Sequence, residues 1–471
     1  MLIFIENTPR AYAWGSTDAL PNMLGTAPTG EPQAELWLGT HPGSPAHVAK
    51  ATPVQHTLID LVESDPDRYG VNGGPLPFLL KVLAIGAPLS LQVHPDRDQA
   101  AAGFAAEEAA GVPRDAPERN YSDPTHKPEL LVALSEVTAL SGFRDLATAR
   151  EDLLLLAAAA RELGHTTGAA GLEYAACRLV GRDGGALRRE FLTWVFSGDQ
   201  RIADALACLP AVLHAEVLQT VALHTEVLQT AATTAVPDAP AAVATDAGET
   251  PPANGFWERA LEDGIADPDR LAALRALVTA HPSDAGVLVS LLLHLVRLAP
   301  GEAIFLGAGQ LHAYLGGVAV EVMASSDNVL RAGLTRKHVD IAELCRIVDT
   351  SELSDPRFSA ERVGQGLLAW RPGVPEFQLG RARLREADAD AGSGYADSEA
   401  ATSIDLPARA PVVLVVTAGK VRIERPDASP AEVASARRGQ SLYVSAGEPI
   451  RLTGHGEVFL ASVGTELDEL S

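Results

Sequence analysis

Cysteine, long apolar runs and positive charge are all scarce in this chain. Three cysteines occur in 471 residues, Cys177, Cys208 and Cys345. They are too far apart for a CxxC zinc knuckle or a disulfide framework, and a reducing compartment fits such usage. The longest apolar runs, around 153–160 and 287–296, fall short of the roughly 20 residues that span a bilayer. The N-terminus, MLIFIENTPR, has no basic n-region and meets Glu6 after a few apolar residues, unlike a signal peptide. A soluble cytoplasmic protein is expected. Lys plus Arg number 37 against 61 Asp plus Glu, a net charge of −24. Such a surface repels phosphate backbones and anionic lipid, so neither a nucleic-acid nor a membrane partner is expected. An anionic substrate would need a local basic island.

The length suggests roughly three units at about 150 residues each. Apolar residues make up 46% and charged residues 21%, ordinary for a folded chain. The first hundred or so residues are rich in Gly and Pro, with short apolar runs (LIFI, ELWLG, FLLKVLA, LSLQVH) that suit strands and short helices. The segment 98–118 is Ala- and Glu-rich and reads as a helical excursion. From 146 to about 298 the spacing is helical, through DLLLLAAAARELG, LRREFLTWVF and VLVSLLLHLV. Inside this block AEVLQT at 215–220 is repeated as TEVLQT at 225–230, a period too short for a solenoid. The Pro-, Ala- and Thr-rich stretch 231–255 reads as a low-complexity loop. After Pro300-Gly301 short apolar stretches broken by glycine return and continue to the C-terminus, as in an antiparallel barrel or sandwich.

Three stretches concentrate polar groups. In Ser90-Leu91-Gln92-Val93-His94, strand alternation puts Ser90, Gln92 and His94 on one face and Leu91 and Val93 on the other. A solvated edge strand would show the same pattern. In 121–130, His126, Lys127 and Glu129 crowd the approach to the apolar run LLVAL, which a charged turn would also explain. In the third, His312 follows a Gly turn and Tyr314, Glu321, Asp327, Arg331 and Lys337 come after it. A lone His is more often structural, but charges amid apolar strands must be paired, metal-bound or functional. Together Gln92, His94, Glu129 and His312 make a mixed N/O set for a divalent metal, zinc or alternatively manganese or iron. A nearby Lys/Arg cluster could bind an anion.

These stretches resemble the type I phosphomannose isomerase family. The resemblance is carried by PFLLKVLAIGAPLSLQVHPD at 77–96, NYSDPTHKPELLVAL at 120–134 with SGFRD at 141–145, and GQLHAYLGGVAVEVMASSDNVLRAGLTRKHVD at 309–340. YAWGS at 12–16 and ELWLGTHP at 35–42 add weaker matches. It covers about 1–145 and 285–350 and thins elsewhere. It implies a mixed, mainly β fold: cupin-like, jelly-roll barrels with an inserted α-helical domain. The units would be a catalytic domain at 1–145 plus 300–345, a helical insertion at 146–299, and a C-terminal cupin-like domain at 346–471.

The resemblance also implies one zinc ion per chain on Gln92, His94, Glu129 and His312. Lys81, Ser90, His126, Lys127, Tyr314, Glu321, Asp327, Arg331 and Lys337 would line the pocket of a sugar phosphate. The implied reaction interconverts D-mannose 6-phosphate and D-fructose 6-phosphate through a cis-enediolate, within carbohydrate metabolism and GDP-mannose biosynthesis. The proton-transfer base could be Glu321, Asp327, His126, Lys127 or His94, with Asp327 and Arg331, four residues apart, favoured as a pair. A monomer is expected. The rival readings are another metal-dependent cupin enzyme, such as an oxygenase, and a non-catalytic sugar-phosphate-binding or regulatory cupin.

Overall fold

The strand His312–Ala324 organises the half of the molecule that carries the polar motifs. The computed structural model describes residues 1–49, 56–214, 264–265, 267–386 and 399–464. Within it this strand pairs antiparallel with four others. Its first residues meet Gln92–Val93 and Val137–Phe143, and its later ones lie between Phe78–Ile85 and Glu129–Ala133. The switch falls at a register shift between Tyr314 and Gly316. Gly317 has φ of +112°, and a Cβ there would lie 2.3 Å from the Glu136 carbonyl oxygen, so the crossing needs glycine. The strands Glu35–Leu38, Leu293–Leu298, Ala303–Leu306 and Leu330–Arg331 complete this sheet of nine.

Alternation gives the sheet two different faces. Leu36, Leu38, Leu80, Val82, Leu130, Val132, Val320 and Val322 point into an apolar layer shared with Trp370, Val413, Val415, Tyr443 and Phe459 of a second sheet. The opposite face carries Glu35, Trp37, Lys81, Glu129 and Glu321, all buried. An acid or a lysine in each of four buried strands is costly unless each is paired. These positions therefore mark an interior with chemistry in it.

The second sheet has ten strands, mostly from the C-terminal third. Leu2–Glu6 joins it by pairing with Ser441–Val444. The reason is that Leu2–Glu6 is apolar on both sides. Ile3 and Ile5 pack into the layer between the sheets, and Leu2 and Phe4 against the C-terminal core.

Helices Leu146–Glu162, Thr166–Cys177, Gly184–Val195, Gln200–His214 and Pro268–Ala280 form the expected helical block. They share one core with Leu91, Val93, Leu140 and Phe143. Leu146–Glu162 begins where the Asp145 carboxylate accepts from the Thr148 N–H at 2.8 Å. The excursion expected at 98–118 is a helix over Arg97–Ala110, capped by Asp96 and ended at Gly111 in the left-handed conformation. One assignment needs correction: the end of VLVSLLLHLV is not helix but the strand Leu293–Leu298, paired with Val137–Phe143. A Leu-rich run of that length fits either state, and the open edge of the barrel decides it. The 215–220/225–230 repeat and the 231–255 stretch lie outside the described residues.

Replacing Gly317 with alanine should destabilise the protein by at least about 2 kcal/mol in urea unfolding, because the backbone is strained and the Cβ meets a carbonyl. A change below about 0.5 kcal/mol would show that the crossing tolerates a side chain.

Candidate metal centre

Glu129 opens the strand Glu129–Ala133 and points into the barrel at 4% exposure. Around it stand Lys127 Nζ at 2.9 Å, His94 Nε2 at 3.4 Å and His312 Nε2 at 3.7 Å. One donor atom from each of His94, Glu129 and His312 falls within 4.8 Å of the others. Both imidazoles are held from behind. His94 Nδ1 donates to the Asn328 carbonyl at 2.8 Å, and His312 Nδ1 to the Gln310 carbonyl at 2.9 Å. That tautomer leaves each Nε2 lone pair facing Glu129. His94 Nε2 is buried without a hydrogen bond, an orphan that a cation would satisfy. Burial lowers both imidazole pKa values, His312 to about 4, so both are neutral, the form that ligates. Burial alone would raise the Glu129 carboxyl; the Lys127 ammonium outweighs it and holds it well below the usual carboxylate range. The donor set therefore fits a divalent cation of the kind that takes imidazole and carboxylate.

Gln92 is in register with His312 on one side and Arg331 on the other, and His312 is in register with Ser141. Arg331, Gln92, His312 and Ser141 thus form one cross-strand row on the same face. Leu91 and Val93 point the other way and are fully buried in the helical core, as the alternation predicts. Half-buried Ser90 lies one pleat before Gln92.

A second buried network adjoins the ligands. Lys81 Nζ lies 3.2 Å from Glu321 Oε2 and 3.7 Å from Glu35 Oε2, and Tyr314 donates to Glu321 Oε1 at 3.0 Å. Lys81 also sits over the Trp37 ring, 5.0 Å from its centroid, and the Trp37 indole N–H donates to Glu35. Glu321 and Glu129 occupy adjacent diagonal positions, since Met323 is the register partner of Glu129. Burial and then the Glu129 charge push the Glu321 carboxyl up to about 7, against the pull of Lys81.

At the rim the predicted residues separate. Asp327 and Arg331 form no ion pair: Asp327 is 54% exposed, with Oδ1 3.4 Å from His41 Nε2. Arg331 is half-buried on the strand Leu330–Arg331, and burial lowers its pKa. Lys337 is exposed, its pKa lowered by burial and by the Arg331 charge. His126 faces away from the ligands, its Nε2 3.0 Å from both Glu376 Oε1 and Arg97 Nη2. Sequence reasoning did not single out Glu35, Trp37, His41, Asn328 or Glu376. The first three lie in ELWLGTHP, where an acid and an aromatic two apart in a buried strand were the available signal. Glu376 is 250 residues from His126, and no local pattern announces it.

Residues 2–146 match the family model for the phosphomannose isomerase type I catalytic domain. The Mannose-6-phosphate isomerase of Escherichia coli K12 is 36% identical over 344 residues, 72% of each chain. That of Emericella nidulans is 29% identical over 90% of this chain and 87% of its own. A crystal structure of mannose 6-phosphate isomerase bound with zinc and yttrium superposes with a TM-score of 0.73 at 28% identity, covering 98% of this chain and 99% of its own. A mutant of phosphomannose isomerase from Salmonella typhimurium gives 0.75 at the same identity, over 98% and 99%. These likenesses, with the paired antiparallel sheets, bear out the mixed, mainly β, cupin-like fold. No described helix is long and apolar enough to cross a membrane.

Metal-stripped protein titrated with zinc should take up one ion per chain, and Glu129→Gln or His312→Ala should weaken uptake by about 100-fold or more. Unchanged affinity in both variants would remove these residues from the ligand set.

Proposed function

The chain belongs to the type I phosphomannose isomerase family, and we propose that it interconverts D-mannose 6-phosphate and D-fructose 6-phosphate at a single zinc held by Gln92, His94, Glu129 and His312. The observation that carries this reading is the convergence of two rear-anchored imidazoles on one buried carboxylate, in a chain 36% identical to an enzyme of that name. When bound, the cation supplies Lewis-acid stabilisation to negative charge developing on the C1 and C2 oxygens.

The rest is work for side chains. Isomerisation moves a proton between C2 and C1, so a base must sit within hydrogen-bond reach of both. Glu321 has the chemistry for it. Burial favours its neutral form, so that it can hold a proton as well as take one up, and its bonds to Lys81 and Tyr314 fix its aim. Asp327 is the alternative base, at the mouth of the barrel beside His41. Arg331, with Gln92 as register partner, and Lys337 supply positive charge for the phosphate. Ser90 lines the same side of the pocket. Lys127 neutralises Glu129, and His126 orders the rim. The chain acts as a monomer on a small sugar phosphate in the cytoplasm.

Zinc-loaded protein should convert mannose 6-phosphate to fructose 6-phosphate without oxygen, and EDTA should abolish the activity. Full turnover in metal-free protein, or none in the loaded form, would sink the reading. Glu321→Gln should lower kcat by about 100-fold or more while the protein stays folded. Near-normal kcat for that variant, with a collapse in Asp327→Asn, would transfer the proton to Asp327.

A further inference from the structure

Asn328 is fully buried at the junction of two of the motifs, and its side-chain amide binds backbone of the turn 122–125. The amide uses its whole hydrogen-bonding capacity on one short turn. Oδ1 accepts from the N–H groups of Ser122 at 2.8 Å and Asp123 at 3.2 Å. Nδ2 donates to the carbonyls of Asp123 and Thr125, both at 2.7 Å. Two donors and two acceptors are all that an asparagine has. With two N–H groups at one end and two carbonyls at the other, the amide has only one orientation that works.

The turn it grips runs straight into His126, Lys127 and Glu129. The main-chain carbonyl of the same Asn328 accepts the His94 Nδ1 proton at 2.8 Å. Asp123 ties the knot from its other side. Its Oδ2 accepts from the Asp327 N–H at 2.8 Å, and its two oxygens lie 3.0 and 3.1 Å from Ser326 Oγ. Segment 326–328, turn 122–125 and His94 are thereby one hydrogen-bonded unit.

We propose that Asn328 is a positioning residue for the metal centre: its four amide bonds to turn 122–125 and its carbonyl bond to His94 fix the angle at which His94 and the Lys127–Glu129 arm meet. This rests on the metal site proposed above. Without the knot, Nε2 of His94 and the Glu129 carboxylate lose their common aim, and the cost falls on cation affinity before it falls on the fold. An aspartate at this position keeps the shape and two acceptors but turns an oxygen toward two carbonyl oxygens, so it breaks half of the grip.

The experiment is zinc binding by chelator competition, with thermal melting, on unmodified protein, Asn328→Asp, Asp123→Asn and Leu414→Ala. Leu414 is fully buried in the core of the second sheet and serves as a destabilised control remote from the knot. Asn328→Asp should bind zinc roughly 10- to 100-fold more weakly, Asp123→Asn should move in the same direction, and Leu414→Ala should melt earlier with zinc affinity unchanged. If Asn328→Asp does not fold, Asp123→Asn carries the comparison. Affinity within threefold of the unmodified protein in the folded knot variant overturns the proposal, as does an equal loss in Leu414→Ala. Failure of the unmodified protein to bind zinc overturns the metal reading and this inference together.

Discussion

A carboxylate has to be kept charged inside a barrel from which water is largely excluded. Taking such a group out of water costs several kcal/mol unless partners replace the lost solvation. At Glu129 the partner is an ammonium two residues earlier, and two imidazoles from distant parts of the chain turn their Nε2 atoms to the same carboxylate. Lys127 can serve because residues two apart in extended chain share a face. His312 can serve because it starts the strand whose later residues pair with Glu129–Ala133. The same strand thus delivers a ligand at one end and holds the carboxylate's own strand at the other. A bend at Gly317 lets it do both, so an apparently minor backbone feature supports the geometry of the site.

Around that centre the sheet is polarised. One face is apolar and packs on the second sheet; the other sets acids, Lys81 and Trp37 among apolar side chains. Buried charges on the inner face are tolerated only as a closed set: Lys81 between Glu35 and Glu321, Tyr314 on Glu321, Lys127 on Glu129. Removing one partner strands another, which is why such a network holds its members in place more firmly than any single pair could. It also sets two neighbouring carboxyls at opposite extremes. Glu129 is stabilised as an anion, whereas Glu321 is raised to about 7 by burial and by the charge of Glu129 itself.

Much of this was legible in the sequence where a rule of strict period applies. Ser90, Gln92 and His94 share a face because strand side chains alternate, and the full burial of Leu91 and Val93 is the complement of that pattern. Asp327 and Arg331, four residues apart, form no ion pair, because a spacing of four brings side chains together only on a helix. Residues 326–329 are irregular and lead into the strand Leu330–Arg331, so Asp327 turns to His41 instead. The run Leu293–Leu298 forms a strand where the spacing suggests helix, because a Leu-rich stretch this short fits either state. Asn328 stood inside a quoted motif, but the role of an amide that binds backbone depends on where a turn two hundred residues away comes to rest.

The acidity of the chain and the anionic substrate proposed for it are reconciled by where the cations sit. Most arginines near the surface are spent on carboxylates, as Arg451 is on Asp405 and Arg114 on Glu108. Arg331 and Lys337 are different: among the described residues neither has a carboxylate within ion-pair range, and burial depresses half-buried Arg331. An arginine kept half-buried without a counter-ion costs free energy that an arriving phosphate would return. The surrounding negative field acts over a Debye length of about 8 Å at physiological salt. A phosphate must therefore come close before the local cations outweigh the net charge of −24. Weak attraction at long range and strong attraction at contact favour a small ligand that diffuses into the barrel mouth over a polyanion that must lie along the surface.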